Sequence, residues 1–212
     1  MVRKNPWLEK STKNLLALSN ASNFTAAQSE WKFTGDVVDH EFPSEICELC
    51  EHEELRYHYE IKNEETEKCL YVGSSCILRF QEIHIYDADG NKIIEEYERK
   101  KELDKALKEK LTNTMLEPLR KLWREQEWCR NHTKSSVDHF KEYGAFLPKQ
   151  LATLFSRLKD NNINYKPEMF PVYLRSNHSK EQLRFMQKRE LDLIKESLTK
   201  HQATKHHAVF LR

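Results

Sequence analysis

The spacing of apolar and polar residues switches repeatedly along the chain between helical and alternating periods, and each switch predicts a new element. Trp7, Leu8, Leu15, Leu16 and Leu18 fall in a helix-like stretch from Pro6 to Ser19, and Thr25-x-x-Gln28 has the form of a capping box that opens a short second helix. Trp31 and Phe33 lead into extended chain. From Leu55 to Ile61 apolar and polar residues alternate, Asn63-Glu-Glu forms a turn signal, and Cys69 to Val72 returns as a strand. Gly73-Ser-Ser-Cys76 predicts a tight turn feeding a helix with a serine N-cap. Ile83 to Tyr86 and Lys92 to Ile94 flank Asp87-Ala-Asp-Gly-Asn91 and predict a second hairpin.

From Glu96 to Asn131 the period becomes helical. Leu103, Leu107, Leu111 and Met115 follow one another at four-residue steps, Leu119, Leu122 and Trp123 continue the stripe, and Pro118 is expected to kink it or to start a new helix. A helix after Pro148 has Leu151, Leu154, Phe155 and Leu158 on one face, and a short strand is expected near 172–175. Ser179-x-x-Gln182 then opens a long helix whose apolar face carries Leu183, Met186, Leu191, Ile194 and Leu198, with a fraying tail from His201. No segment repeats at a constant period.

Composition narrows the chemistry. Among 212 residues, 35 basic and 34 acidic side chains nearly cancel, so no overall field draws the chain to nucleic acid or to acidic lipid. No apolar run approaches the roughly 20 residues that cross a bilayer, and the first residues lack the pattern of a secretory signal, which predicts a cytoplasmic protein without a membrane partner. Four of the five cysteines lie between positions 47 and 76. In a reducing compartment such clustering points to metal rather than to disulfides. Cys47-x2-Cys50 can present two sulfurs to one ion from a single turn, and a hairpin can bring Cys76 back to the same ion at the start of a helix. The implied cofactor is a structural Zn2+.

The order of knuckle, hairpin and helix resembles the treble-clef zinc fingers. The run Cys47-Glu-Leu-Cys50, Leu55-Arg-Tyr, Val72-Gly-Ser-Ser-Cys76 looks like that of small phage and plasmid proteins over about residues 41–80. The treble-clef pattern departs at the fourth ligand, because Arg79 or Phe80 stands where a second Cys or His is usual. Cys69 is the first candidate by residue type, His58 the second, and Cys129-x2-His132 a distant third. The expected fold is α+β: an N-terminal helical segment (1–40), a zinc-knuckle and β-hairpin region (41–95) and a helical region (96–212), packed as one unit.

The ββα-metal nucleases place a water-activating histidine and an orienting asparagine around such a hairpin, and His58 and Asn63 are the candidates here. Asp39-His40, Asp138-His139 and His84 follow no matching pattern, and serine-elbow, phosphate-loop and His-Glu-x-x-His signatures are missing from the sequence. Asp87, Asp89, Asn91 and Glu98 match four positions of a calcium loop, but Lys92 stands where that loop requires glycine, so a plain turn is favoured. His201, His206 and His207 read as a solvated tail, and Cys129 as a core thiol.

Basic runs at Arg99-Lys-Lys, Lys105 to Lys110, Arg120-Lys121-Leu-Trp123-Arg124 and Lys188-Arg, with Trp123 and Trp128, have the composition of a face that tracks phosphates and stacks on bases. The same lysines alternate with glutamates, as on any exposed helix. The expected role is zinc-stabilised binding of nucleic acid or of a nucleic-acid-processing complex, with a metal-dependent nuclease as a lesser alternative. The resemblance implies another, protein-protein inhibition of a host defence enzyme such as a CRISPR nuclease, that is, an anti-CRISPR role.

Overall fold

The computed structural model describes residues 5–211. Two compact units divide the chain, Met1–Thr112 and Asn113–Arg212, and the border falls inside a continuous helix. The architecture is α+β, with a three-stranded antiparallel sheet and the cysteine cluster in the first unit and a mostly helical second unit.

The first unit comprises α1 (Pro6–Leu16), α2 (Phe24–Gln28), β1 (Trp31–Asp39), β2 (Tyr57–Asn63), β3 (Cys69–Val72), α3 (Ser74–Arg79) and the start of α4 (Glu96–Glu125). The strand order is β1-β2-β3. Tyr59 lies opposite Val37 and Val72, and Ile61 opposite Phe33 and Leu70, so these six side chains share one face. That face packs with Trp31, Leu15, Ile77 and Leu103 into a single core. The β1–β2 register shifts between Phe33 and Val37, and Gly35 supplies the positive φ of +94° that this bulge needs.

Local details differ from the sequence expectation for identifiable reasons. The cap of α2 is Asn23, whose side chain accepts the Ala26 N–H at 2.9 Å, so Thr25 already lies in the first turn. α3 is capped by Gly73 rather than by a serine. The second hairpin is reduced to one bridge between Tyr86 and Lys92. Its turn is organised by the Asp87 carboxylate, which accepts the N–H groups of Asp89 and Asn91 at 2.9 and 2.8 Å, and Gly90 takes φ +84°. Asp87 is thus committed to its own backbone as an Asx turn.

A buried carboxylate ties the start of β1 to the end of β2. Glu30, 8% exposed, accepts the Ala21 N–H at 2.6 Å, the Asn20 N–H at 2.9 Å and the Asn63 side-chain amide at 2.7 Å. Burial by itself raises its pKa, but the Asn63 amide and the Asn20 and Ala21 N–H groups outweigh it and hold the carboxyl below its ordinary 4.5. A depressed folded-state pKa contributes stability above the unfolded value, and that stability is lost as pH falls through the folded value. Glu30→Gln is expected to cost about 1.5–3 kcal/mol at neutral pH. In chemical denaturation across pH, the gap between variant and parent should narrow as the medium is acidified below the usual carboxylate range. A gap independent of pH would contradict the assignment.

The second unit contains the rest of α4, α5 (Arg130–Tyr143), α6 (Pro148–Asp160), α7 (Asn177–Phe185), α8 (Lys188–Ile194), α9 (Lys200–Lys205) and α10 (His207–Phe210). Its core gathers Leu119, Leu122, Phe146, Leu154, Phe155 and Ile194. Pro118 does not end α4, which runs through it from Glu96 to Glu125. Interior proline costs about 3 kcal/mol, and the buried stripe of Met115, Leu116, Leu119 and Leu122 around it offsets that cost. The strand expected near 172–175 is a single parallel bridge from Phe146 to Val172, flanked by Pro171, which has no N–H to extend a ladder. The long helix expected from Ser179 is instead α7, capped by Ser176, and α8, opened by a Gln187/Glu190 capping box after the extended Met186. The tail is helical as well, with Thr199 and Gln202 boxing the start of α9. Among the described residues no helix is long and apolar enough to cross a membrane.

Candidate metal centre

The loop before β2 is closed by a two-way backbone pair between Glu45 and Leu55, at 3.1 and 2.9 Å. Within it the Cys47 N–H donates to the His52 carbonyl at 2.9 Å and the Glu51 N–H to the Cys47 carbonyl at 2.8 Å. Glu51 and Glu54 accept left-handed φ values of 58° and 65° to make this tight return. The turn aims the backbone N–H groups of Leu49 and Cys50 at the Cys47 sulfur, and the Gly73 N–H joins them at 3.4 Å.

The hairpin β2–β3 then delivers α3, whose third residue is Cys76. Its Sγ lies 3.6 Å from that of Cys47, and the sulfurs of Cys47, Cys50 and Cys76 all lie within 4.8 Å of one another. Sulfurs bound at about 2.3 Å to a tetrahedral ion stand about 3.8 Å apart, and disulfide sulfurs about 2 Å apart. The spacing therefore suits a shared metal, and all three cysteines are free thiols. They are buried, at 1%, 6% and 3% exposure. Three convergent sulfurs with backbone donors behind one of them form a cluster positioned to hold a metal ion.

Electrostatics within the cluster are asymmetric. The hydrogen bond from Cys76, joined by the Cys50, Gly73 and Leu49 N–H groups, pulls the Cys47 thiol well below its ordinary value despite burial. The same contact with Cys47, together with burial, pushes Cys76 up. Of this pair Cys47 is the thiol whose surroundings favour the thiolate, the form that binds a cation.

Neighbouring elements fix the geometry. The Glu48 N–H donates to the Tyr71 carbonyl at 3.1 Å and its carboxylate accepts the Tyr71 N–H at 2.6 Å, which straps the knuckle to β3. From α1, the Asn14 amide donates to the Leu49 carbonyl at 3.1 Å. A Cβ at Gly73 would stand 3.3 Å from Leu55 Cδ1, so glycine allows both the close approach and the N–H contact to Cys47. Asn14 carries no sequence signal for its role; only the fold assigns it.

The candidates for a fourth ligand lie elsewhere. Cys69 sits exposed on β3, outside the cluster. His58 is buried, but its Nε2 faces the Ile46 carbonyl at 3.1 Å and its Nδ1 faces His40 Nε2 at 3.2 Å. Cys129 belongs to the second unit, where its thiol donates to the Gln126 carbonyl at 3.2 Å. His132 is there too, and burial and then Arg157 lower its pKa.

His58 and Asn63 do not converge. They stand five residues apart on β2, so their side chains leave opposite faces of the sheet. Asn63 is used structurally: its side-chain Oδ1 accepts the N–H groups of Glu65 and Thr66 at 2.8 and 2.9 Å, and its side-chain amide N–H donates to Glu30. His201, His206 and His207 join no metal-ligating group among the described residues.

Of the residues considered for phosphate contact, Arg120, Trp123 and Arg124 line one open groove between α4 and α5. Lys121 is not among them and lies 4.0 Å from Glu125. Arg99, at the head of another basic run, is 1% exposed and unavailable to any partner. Lys101 and Lys105 pair with Glu98 and Glu102 at 3.0 and 2.9 Å, as solvated helix faces do. Comparison with protein-family models, curated proteins and solved structures gave no match.

Proposed function

We propose that the chain is a zinc-stabilised binding protein that recognises a nucleic-acid-processing complex, with the first unit held by a structural Zn2+ on Cys47, Cys50 and Cys76. The observation that carries this reading is the convergence of three buried sulfurs, one of them backed by the N–H groups of Leu49, Cys50 and Gly73. That donor set fits a soft or borderline cation, and burial suits an ion that stabilises rather than one that turns substrate over. The order of knuckle, hairpin and helix supports a treble-clef-like assignment. The binding half of the proposal rests on the basic and aromatic residues Arg120, Trp123 and Arg124, which meet at a single groove.

Elemental analysis of the purified chain tests the metal. One zinc per chain is expected, and Cys69→Ser should keep both that stoichiometry and the melting temperature, because its thiol is exposed and outside the cluster. Metal-free folded protein, or loss of zinc in Cys69→Ser, would overturn the ligand assignment.

A further inference from the structure

The groove between α4 and α5 encloses about 560 Å³. This lies within the range of about 300–1,000 Å³ typical of ligand sites. Its buried lining is mostly aliphatic, with Leu116 and Leu119 of α4 beside Thr133 of α5, and the half-buried Val137 and Trp123, 45% exposed, line it as well. Its charged lining residues are all exposed. Arg120 and Arg124 stand one turn apart on α4, and Lys134 and Lys141 two turns apart on α5. Asp138 is the one acidic lining residue. Glu117 contacts both arginines, at 3.5 and 3.1 Å, so a single carboxylate serves two guanidinium groups. Lys134 and Lys141 make no ion pair among the described residues.

We propose that this groove docks an acidic amphipathic helix of a partner protein. One turn of helix advances about 5.4 Å and two turns about 10.8 Å, so the basic residues repeat with the period at which a helix presents side chains along one edge. Apolar residues of the incoming helix at i, i+3 or i+4 and i+7 meet Leu116, Leu119 and Val137, and flanking Glu or Asp residues meet the basic residues of α4 and α5. A single strand of nucleic acid fits less well. Its bases require flat aromatic platforms, whereas this buried lining is mostly aliphatic, and the Arg130 guanidinium lies 4.9 Å from the Trp123 ring centroid and occupies one of its faces. The inference rests on the reading of the chain as a binding protein and names the class of partner that its second unit takes.

The test uses the full chain and three fluorescent probes in anisotropy titrations. The first is a 15-residue peptide with Leu at helical a/d spacing and Glu on both flanks, the second a scrambled peptide of the same composition, and the third a 15-nucleotide oligothymidylate. The ordered peptide should bind at least about tenfold more tightly than the scrambled one. Lys134→Glu combined with Lys141→Glu, both exposed positions, should weaken it by at least about tenfold, and so should Trp123→Ala. Lys121→Ala, on the same helix but outside the groove, should change it less than about twofold. Equal binding of the two peptides, binding of none of the probes, or oligothymidylate binding that the Lys134/Lys141 reversal abolishes would each overturn the proposal. Zinc is measured on the same preparation. Full zinc with no peptide binding removes the groove assignment alone, whereas absence of zinc removes the metal-stabilised reading whatever the peptide does.

Discussion

Cys47→Ser and Cys76→Ser are each expected to abolish metal binding and to unfold the unit Met1–Thr112. The proposed zinc contributes folding free energy on the order of 10 kcal/mol, while whole domains are stable by about 5–15 kcal/mol. Losing a thiolate therefore removes most of the margin. The loss is aggravated because Cys47 also receives N–H donors from Leu49, Cys50 and Gly73, which a serine oxygen, with its shorter bond to Cβ, meets poorly. Cys76 acts across the hairpin: without it α3 has no tie to the knuckle through sulfur. Metal content and the thermal melt of each variant check the prediction, and a strong chelator on the parent protein should reproduce the same loss. Acid should do so too, since protons compete with the metal for thiolate. A cysteine variant that melts like the parent would remove the metal from the account of the fold.

How much of this was legible in the sequence depends on the range over which each signal acts. Cys47-x2-Cys50, the β2–β3 hairpin and the arrival of Cys76 on a helix are local patterns, and the structure brings these three residues together. Cys69 looked equivalent by residue type, but strand alternation places it outside the core that holds its neighbours Leu70 and Val72. α2 and α7 are capped two and three residues before the capping boxes at Thr25 and Ser179, because several nearby Asn, Ser and Thr side chains can cap and only the tertiary path selects among them. The border between the two units lies inside α4, where the sequence keeps one helical period throughout and no composition change marks it. His40, the partner of His58, is equally silent, since its contact depends on the β1–β2 register. Basic residues misled most: Arg99, Lys100 and Lys101 form one run, but only Arg99 turns inward.

That inward turn carries the second large expected effect. Arg99 donates from Nη1 to the Ile83 carbonyl at 2.9 Å and from Nη2 to the carbonyls of Ile77 at 2.8 Å and Phe80 at 3.3 Å. Ile77 and Phe80 lie at the end of α3, where helical carbonyls lack intrahelical partners, so the guanidinium caps the helix that carries Cys76 and joins it to α4. No carboxylate forms an ion pair with it among the described residues, and burial lowers its pKa. Hydrogen bonds from a charged donor to buried carbonyls are worth about 1.5–3 kcal/mol each. Truncation to Arg99→Ala removes these and leaves a void, but it also relieves the burial of a charge that has no carboxylate partner, so a net loss of about 3–5 kcal/mol is expected. Arg99→Lys should recover little, because an ammonium on a flexible stem cannot span carbonyls that a planar fork reaches together. The specific consequence is on the metal centre: hydrogen exchange should rise at the Phe80 N–H, which donates to the Cys76 carbonyl at 3.0 Å, and the affinity for zinc should fall although no sulfur has been touched. An Arg99→Ala chain with parental stability and metal affinity would show that α3 is held by its apolar contacts alone.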